Sequence, residues 1–172
     1  MRVSLSPLPL LRVAETTDLW TLECDRSRAA EALIGWRDSG LNVRTLRGSK
    51  MRTSPGLFDE CAAALQFPNY FGENWAAFDE CLSDMDWLPL AGGTVLLVLD
   101  AGQTLADVED LSTLIRAIGR ASLAYATPIE QGEWWDRPAV PFHVVLQSDN
   151  GSMETARSRW ARAGAGLVSL ES

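Results

Sequence analysis

The sequence predicts an α/β domain in which parallel strands alternate with helices. Two runs, residues 94–100 and 142–147, are β-branched and apolar without alternation, as is typical of strands covered on both faces. Helical patterns separate such runs, so the strands are expected to pair in parallel within a layered arrangement. The chain has 172 residues, of which 47% are apolar and 22% charged. These values indicate one globular domain of ordinary size.

Periodicity and capping residues place the remaining elements. The predicted order is an irregular segment 1–18, a candidate strand 20–24, helix 26–37, strand 42–47, helix 54–65, helix 74–85, strand 94–100, helix 105–126, a loop rich in Pro and Trp at 128–141, strand 142–147 and helix 153–163. Asp25, Ser54 and Asn74 are the predicted N-caps, because short polar side chains accept hydrogen bonds from the first helical N–H groups. Pro55 suits the first helical position of its helix.

The helix that Asn74 opens has two contrasting faces. Its apolar side chains recur at spacings of three and four residues, at Trp75, Phe78, Cys81, Leu82 and Met85. The opposite stripe holds Glu73, Ala76, Asp79, Glu80, Ser83 and Asp84. This stripe is predicted to present four carboxylates with no compensating base. Like charges four residues apart, such as Glu80 and Asp84, cost a helix a few tenths of a kcal/mol, a cost that binding to a cationic partner recovers.

The charge is concentrated in one segment. The net charge is −8, yet residues 53–115 contain no Lys or Arg and eleven acidic residues, so this segment carries −11 and the remainder +3. Binding to phosphate backbones depends on Lys and Arg, so direct nucleic-acid binding is not expected here. A basic protein is the natural counterpart. A solvated acidic surface that aids solubility is the other reading of the same pattern.

The loop and the helix after it share one continuous motif, which consists of Pro68, Tyr70, Phe71, Gly72, Glu73, Asn74, Ala77, Glu80, Cys81 and Leu82. This motif resembles the barstar family of intracellular ribonuclease inhibitors. The resemblance implies a small three-stranded parallel sheet packed with helices over residues 42–147. An N-terminal extension, residues 1–41, and a C-terminal helix and tail, residues 148–172, flank that domain. Residues 132–138 are similar to a loop in longer, bacterial members.

The resemblance implies that the protein inhibits a basic ribonuclease, as an immunity protein or antitoxin in the cytoplasm. Carboxylates would occupy the positions of substrate phosphates in the active site of the enzyme. Tyr70 matches the aromatic residue that lies against the enzyme, and Glu80 matches the dominant acidic contact, lengthened from Asp. The predicted partner-binding residues are Tyr70, Phe71, Gly72, Glu73, Asn74, Ala76, Asp79, Glu80, Ser83 and Asp84.

Two positions depart from the pattern and keep a second function open. Ala76 stands where well-studied members have another aspartate, and Asp79 stands where they have tryptophan. A barstar fold reused as a regulatory or scaffolding module would tolerate both changes.

Several side chains have a predicted place but no secure role. Phe71 is expected to pin the loop to the core, and Gly72 is expected to supply a backbone conformation that other residues resist. Trp134 and Trp135 have two readings: one buried and one exposed at a partner surface, or both buried in a structural lid. His143 is predicted to be a satisfied histidine in an apolar strand.

Other function classes lack the necessary residues. Adjacent helical residues such as Asp79 and Glu80 diverge, so they form no acid/base pair, and no nucleophile or phosphate-binding motif is present. We therefore expect no enzymatic activity and no metal or other cofactor. No apolar run approaches the ~20 residues of a membrane span, and no signal peptide is expected. Three cysteines, an odd number, indicate reduced thiols in a cytosol, and a monomer is expected when the protein is free.

Overall fold

Five parallel strands form the sheet at the centre of the protein. The computed structural model describes residues 8–15, 18–89 and 92–170. The strands are β1 (Leu19–Glu23), β2 (Asn42–Arg47), β3 (Thr94–Leu99), β4 (Phe142–Ser148) and β5 (Leu167–Ser169). Their order across the sheet is β2-β3-β4-β1-β5, and each neighbouring pair runs in parallel. The predicted α/β class with parallel strands is therefore confirmed.

The prediction of a three-stranded sheet is wrong, because β1 and β5 extend the sheet beyond β4. β1 pairs with β4 along its length, and β5 pairs with the other edge of β1. β5 has only three residues, too few for an alternating pattern to be recognised. Strands from all three predicted segments, residues 1–41, 42–147 and 148–172, consequently lie side by side in one sheet.

Six α-helices accompany these strands in the described part of the chain. They are α1 (Leu8–Leu11), α2 (Arg26–Asp38), α3 (Ser54–Leu65), α4 (Trp75–Asp84), α5 (Val108–Ala126) and α6 (Met153–Arg162). Short 3-10 turns follow β2 and β3. The prediction of an irregular segment 1–18 is wrong at α1 and holds for residues 12–15 and 18. Residues 1–7 and 16–17 of that segment lie outside the described residues. The other predicted helices are confirmed, with ends shifted by up to three residues.

Side chains alternate across the sheet and build two separate cores. Along β3, Leu96 and Val98 enter the larger core, and Val95 and Leu97 enter the smaller one on the opposite face. The larger core takes residues from α3, α4, α5 and α6, whereas the smaller core takes residues from α1 and α2. Both faces of the sheet are therefore covered, which explains why β3 is almost entirely apolar and why β4 is buried along its whole length.

The N-caps explain where the helices start. Asp25 accepts a hydrogen bond from the backbone N–H of Arg28 at 2.9 Å, as predicted for α2. The predicted cap of α3 is wrong by one residue: Thr53 is the cap, and the Ser54 hydroxyl donates instead to Asp110 at 2.6 Å. α5 begins three residues later than predicted, because Asp107 accepts from two backbone N–H groups and sets the first turn there.

His143 is buried in β4 between two hydrogen-bond partners. Its Nδ1 accepts from the Trp20 indole N–H at 3.2 Å, and its Nε2 lies 2.9 Å from the Val13 carbonyl oxygen. Burial lowers the pKa of His143, and the Val13 carbonyl opposes that shift. The prediction of a satisfied histidine in an apolar strand is confirmed.

Candidate functional site

The loop before α4 ends in a side-chain cap that fixes the first turn of the helix. Asn74 Oδ1 accepts from the Ala77 N–H at 2.9 Å, and Asn74 Nδ2 donates to the Gly72 carbonyl at 3.0 Å. One side chain thus holds both the loop and the helix start, which confirms Asn74 as a cap. Its role in binding a partner stays a prediction.

α4 buries one face and exposes the other, as the spacing predicts. Phe78 and Leu82 are each 1% exposed and pack in the larger core, with Cys81 buried beside them. Glu80 and Asp84 lie on the outer face and are exposed. Because the apolar face is firmly packed, the outer face presents its carboxylates on a rigid support.

The loop positions its two aromatic side chains differently. The Phe71 ring packs edge-on against Phe58 and Phe67, at centroid distances of 5.9 and 5.0 Å, so its predicted place at the core is confirmed. Tyr70 is 73% exposed and points away from that cluster. Burial raises the pKa of Tyr70, and the negative charges of Asp84 and other nearby acids add to this. Tyr70 therefore lies in the electrostatic field of the acidic residues of α4.

The prediction for Gly72 is wrong, because the left-handed backbone of this loop belongs to Glu73. Glu73 has φ of 50°, whereas Gly72 is not among the residues with positive φ. A Cβ atom added at Gly72 would lie 3.0 Å from Asn74 Nδ2, so glycine here leaves room for the capping side chain. Glu73 thus adopts a strained left-handed conformation, which residues other than glycine rarely adopt, directly before the Asn74 cap of α4.

We call Glu73, Asp79, Glu80 and Asp84 the acidic ridge. Glu73, Glu80 and Asp84 are exposed, and among the residues that the structure describes they form no ion pair. Burial, followed by the like charges of Asp86 and Glu80, raises the pKa of Asp84. In the free protein, Asp84 is therefore repelled by the carboxylates of Asp86 and Glu80. The remaining predicted contact residues on this helix, Ala76 and Ser83, are exposed and half-buried respectively.

The expectation that the ridge has no compensating base is wrong for Asp79. Arg120 of α5 donates through its Nε to both carboxylate oxygens of Asp79, at 2.7 and 2.9 Å. The sequence does not predict this role of Arg120, because Arg120 and Asp79 are 41 residues apart and no local pattern links them. Counting this pair as neutral, the ridge presents three negative charges rather than four.

Two further acids of the segment 53–115 are also neutralised from outside it. Arg47 forms a bidentate pair with Glu60 at 2.7 Å, which holds the pKa of Glu60 below its usual value. Arg26 forms an ion pair with Asp100. These two pairs neutralise carboxylates away from α4. Among the described residues, Glu73, Glu80, Asp84 and neighbouring Asp86 form no ion pair, so they keep a group of free charges around α4.

A second cleft, of about 800 Å³, lies at the carboxyl ends of β1 and β4. Its two aspartates make local hydrogen bonds. Asp25 caps α2 by accepting from Arg28, and Asp149 accepts from the Gly151 N–H at 3.0 Å and the Ser152 hydroxyl at 2.6 Å in the turn before α6. Both carboxylates therefore stabilise the starts of helices.

The described residues provide neither a metal site nor a membrane span. No cluster of three or more His, Cys, Asp or Glu side chains there is arranged to hold a metal ion. The helices within 8–15, 18–89 and 92–170 include none whose length and apolar character suffice to cross a membrane.

The fold and this surface define an α/β protein that displays an acidic loop and helix on a parallel sheet. The chain belongs to the family described as Barstar (barnase inhibitor), whose model matches residues 41–147, well over half of the 172 residues. This confirms the resemblance that the motif around Tyr70 and Glu80 indicates. The family is one of inhibitors and not of catalysts.

Other comparisons add little. No curated protein matches the sequence significantly. Two solved structures of Drosophila ORC with Cdc6, bound to AT-rich or to GC-rich DNA, each contain a chain similar at 12% identity. The matches cover 88% and 95% of this chain, with TM-scores of 0.46 and 0.49. The chain spans about half the length of those chains, 47% and 52%, and this level of similarity carries no inference about function.

Proposed function

We propose that the protein binds a basic ribonuclease and blocks its active site with the acidic ridge and the Tyr70 loop. The observation that carries this proposal is the set of exposed, unpaired carboxylates held rigidly on α4. Membership of a family of barnase inhibitors supports it. The full set of predicted contact residues, from Tyr70 to Asp84, belongs to the proposal.

Carboxylates can stand in for the phosphates of RNA because both bind arginine and lysine side chains through charge-assisted hydrogen bonds. The cationic groups of a ribonuclease would then bind Glu80 and Asp84 in place of substrate. The geometry favours this, since the packed face of α4 and the Asn74 cap remove most of the conformational freedom that binding would otherwise have to freeze.

The same charges would accelerate association. A patch of one sign steers an oppositely charged protein during diffusional encounter, and this steering weakens as salt screens it. It also repels the phosphate backbone of RNA, so the protein would compete for the enzyme without binding the substrate.

A second candidate function follows from Asp79 and Ala76. Asp79 is paired with Arg120, and Ala76 offers no charge at all. A protein of this family with fewer free charges could act as a regulatory or scaffolding module for a partner that is not a nuclease. The partner itself separates the two candidates.

Affinity capture from the native lysate tests the proposal. Immobilised wild-type protein should retain a ribonuclease, and the Glu80→Ala variant should retain much less of it. Glu154→Ala is the matched control, because Glu154 is an exposed glutamate in the first turn of α6. Retention of non-nuclease proteins alone would favour the second candidate function.

The proposal places a free monomer without catalytic activity in the cytoplasm, with no direct nucleic-acid, membrane or cofactor partner. The cysteines Cys24, Cys61 and Cys81 are buried and unpaired, which suits a reducing compartment.

The affinity for the ribonuclease should fall in acid because Asp84 must be ionised to bind a cation. In the free protein, burial and the charges of Asp86 and Glu80 raise the pKa of Asp84 above its ordinary 3.8. A cationic partner lowers this pKa, so affinity is complete above the raised value and falls as the pH drops through it. Titration of the dissociation constant from pH 7 to 4 should show a steeper loss for the wild type than for Asp84→Asn. Parallel curves would contradict this role.

Replacement of Arg120 by glutamine should speed association with the ribonuclease several-fold. The change removes a positive charge beside the ridge and releases Asp79 as a fourth free carboxylate. Stopped-flow measurement at low salt gives the rate constant. Arg162→Gln, at an exposed site in α6, removes the same charge elsewhere. Equal acceleration in both variants would show that net charge alone is responsible.

A further inference from the structure

The loop between α5 and β4 is an ordered hairpin-like structure. Ile129 and Arg137 exchange backbone hydrogen bonds of 2.8 and 3.1 Å. The Asp136 carboxylate closes the inner turn by accepting from the N–H groups of Gln131 at 3.0 Å and Gly132 at 2.7 Å. We call residues 129–137 the tryptophan loop, since it carries Trp134 and Trp135 near its tip.

Arg137 fastens the tryptophan loop to the helix that packs against α4. Its guanidinium donates to the Ala124 carbonyl at 3.0 Å and lies 5.4 Å from the centre of the Tyr125 ring. Tyr125 in turn donates its hydroxyl hydrogen to the Leu82 carbonyl of α4 at 3.0 Å. A continuous chain of contacts thus holds the tryptophan loop at a fixed position relative to the acidic ridge.

Both readings of the tryptophan pair are wrong, because neither Trp134 nor Trp135 is buried. Trp134 is 89% exposed and Trp135 is 46% exposed, and their rings meet edge to face at 5.4 Å. Leu123 of α5, nearby along the same groove, is 59% exposed. Large apolar side chains displayed together on a rigid loop are characteristic of protein-binding surfaces, where tryptophan is enriched among the residues that dominate affinity.

A groove of about 700 Å³ joins Leu123 and Trp135 to the acidic ridge. Ser83, Asp84 and Asp86 line it from α4 and the turn after α4, Arg120 and Leu123 line it from α5, and Ile129, Trp135 and Arg137 line it from the tryptophan loop. Ser83 and Asp84 therefore belong both to the groove and to the proposed binding surface. The proposed binding surface on α4 is therefore continuous with the tryptophan loop.

We propose that the tryptophan loop and this groove form a second contact area for the same ribonuclease, and this inference rests on the proposed function. The occupant is an apolar side chain next to a lysine or arginine, on a loop that borders the active site of the enzyme. The apolar side chain contacts Leu123 and the tryptophans. The neighbouring cation meets Asp84 and Asp86, which line the groove beside these apolar side chains.

The charges favour a basic partner over a second copy of this chain. Arg120 and Arg137 also line the groove, but Arg120 is paired with Asp79 and Arg137 donates to the Ala124 carbonyl. Asp84 and Asp86 are left without an ion pair among the described residues, and the tryptophan loop adds exposed Glu130 and Glu133. Two copies that met through this surface would bring these like charges together, which opposes their association. A basic enzyme neutralises the same charges.

Trp134→Ala tests the second contact area, with the ribonuclease retained in the affinity capture as the probe. The variant should bind at least about tenfold more weakly, mainly through faster dissociation, because it removes apolar contact and leaves the charges in place. Trp134→Phe should recover part of the loss. Ile34→Ala is the matched control, since Ile34 is 57% exposed on α2, across the sheet. Circular dichroism verifies that each variant is folded.

The outcomes separate this inference from the proposed function. Weaker binding by Glu80→Ala with unchanged binding by Trp134→Ala would overturn the second contact area and leave the proposed inhibitor intact. If the wild-type protein retains no nuclease, both the proposed function and the second contact area are wrong. Dimerisation that depends on concentration and disappears in Trp134→Ala would assign the loop to a second copy, which also overturns the inference.

Quenching of fluorescence by iodide supplies an independent measurement. The difference in quenching between the wild type and Trp134→Phe reports on the Trp134 side chain alone. This difference should be large in the free protein and should disappear in the complex. If it persists at saturation, Trp134 remains exposed and the inference is wrong.

Discussion

Glu80→Ala should weaken binding of the ribonuclease at least about 30-fold, which corresponds to roughly 2 kcal/mol. Glu80 lies in the middle of the exposed face of α4 and has no ion pair among the described residues, so its charge is free to meet a cation of the partner. The substitution should not lower the free energy of unfolding. Removal of Glu80 relieves its repulsion with Asp84 one turn later, which stabilises a helix by a few tenths of a kcal/mol.

Two measurements on the same variant check this expectation. The inhibition constant gives the loss of affinity, and urea unfolding gives the stability. Glu154→Ala, in α6, should change neither by a significant amount. A folded Glu80→Ala protein with the inhibition constant of the wild type would remove Glu80 from the centre of the interface.

Phe78→Ala should destabilise the fold by about 3–5 kcal/mol, the typical cost of truncating a buried phenylalanine. Phe78 is 1% exposed, and its ring lies 5.8 Å from Phe58, 6.0 Å from Phe67 and 5.7 Å from Trp75 between ring centroids. These contacts tie α4 to α3 and to the loop that carries Tyr70. Phe78 is thus the main support beneath the acidic ridge.

The free energy of unfolding in urea measures this effect directly. Trp134→Ala is a suitable control, because that ring is almost fully exposed and its removal should change stability by less than about 0.5 kcal/mol. A loss below about 1 kcal/mol in Phe78→Ala would show that α4 is held to the core by other residues. Substitutions on the two faces of α4 are therefore expected to change different properties. Glu80→Ala weakens binding, and Phe78→Ala lowers the stability of the fold.

Local sequence signals predict the support of the candidate site well. Asn74 is identified as a cap by its residue type and position, and the spacing of Phe78 and Leu82 identifies the buried face of α4. Each of these depends on residues within one or two helical turns. The same local character predicts the central strands β3 and β4 from uninterrupted apolar runs.

Features that depend on distant contacts are not predictable in this way. The neutralisation of Asp79 requires knowing that α5 packs beside α4 with Arg120 at the right turn. The left-handed backbone of the loop falls on Glu73, whereas the adjacent glycine leaves room for the Asn74 side chain, and residue type alone assigns the unusual conformation to the glycine.

Distant contacts also explain why the sequence does not predict β5 or the exposure of the tryptophan loop. β5 is a strand because it pairs with β1, and its three residues are too few to show an alternating pattern. Exposure of Trp134 is set by the backbone hydrogen bonds and the Asp136 turn that hold the loop off the surface, whereas residue type alone favours burial.

Competition with a substrate analogue tests the central claim most directly. A non-cleavable oligonucleotide that occupies the active site of the retained ribonuclease is added in increasing amounts while binding of this protein is measured. If the acidic ridge takes the place of substrate phosphates, the apparent dissociation constant rises linearly with the concentration of the oligonucleotide and reaches no plateau. A dissociation constant that stays the same when the oligonucleotide saturates the enzyme would contradict the proposed function.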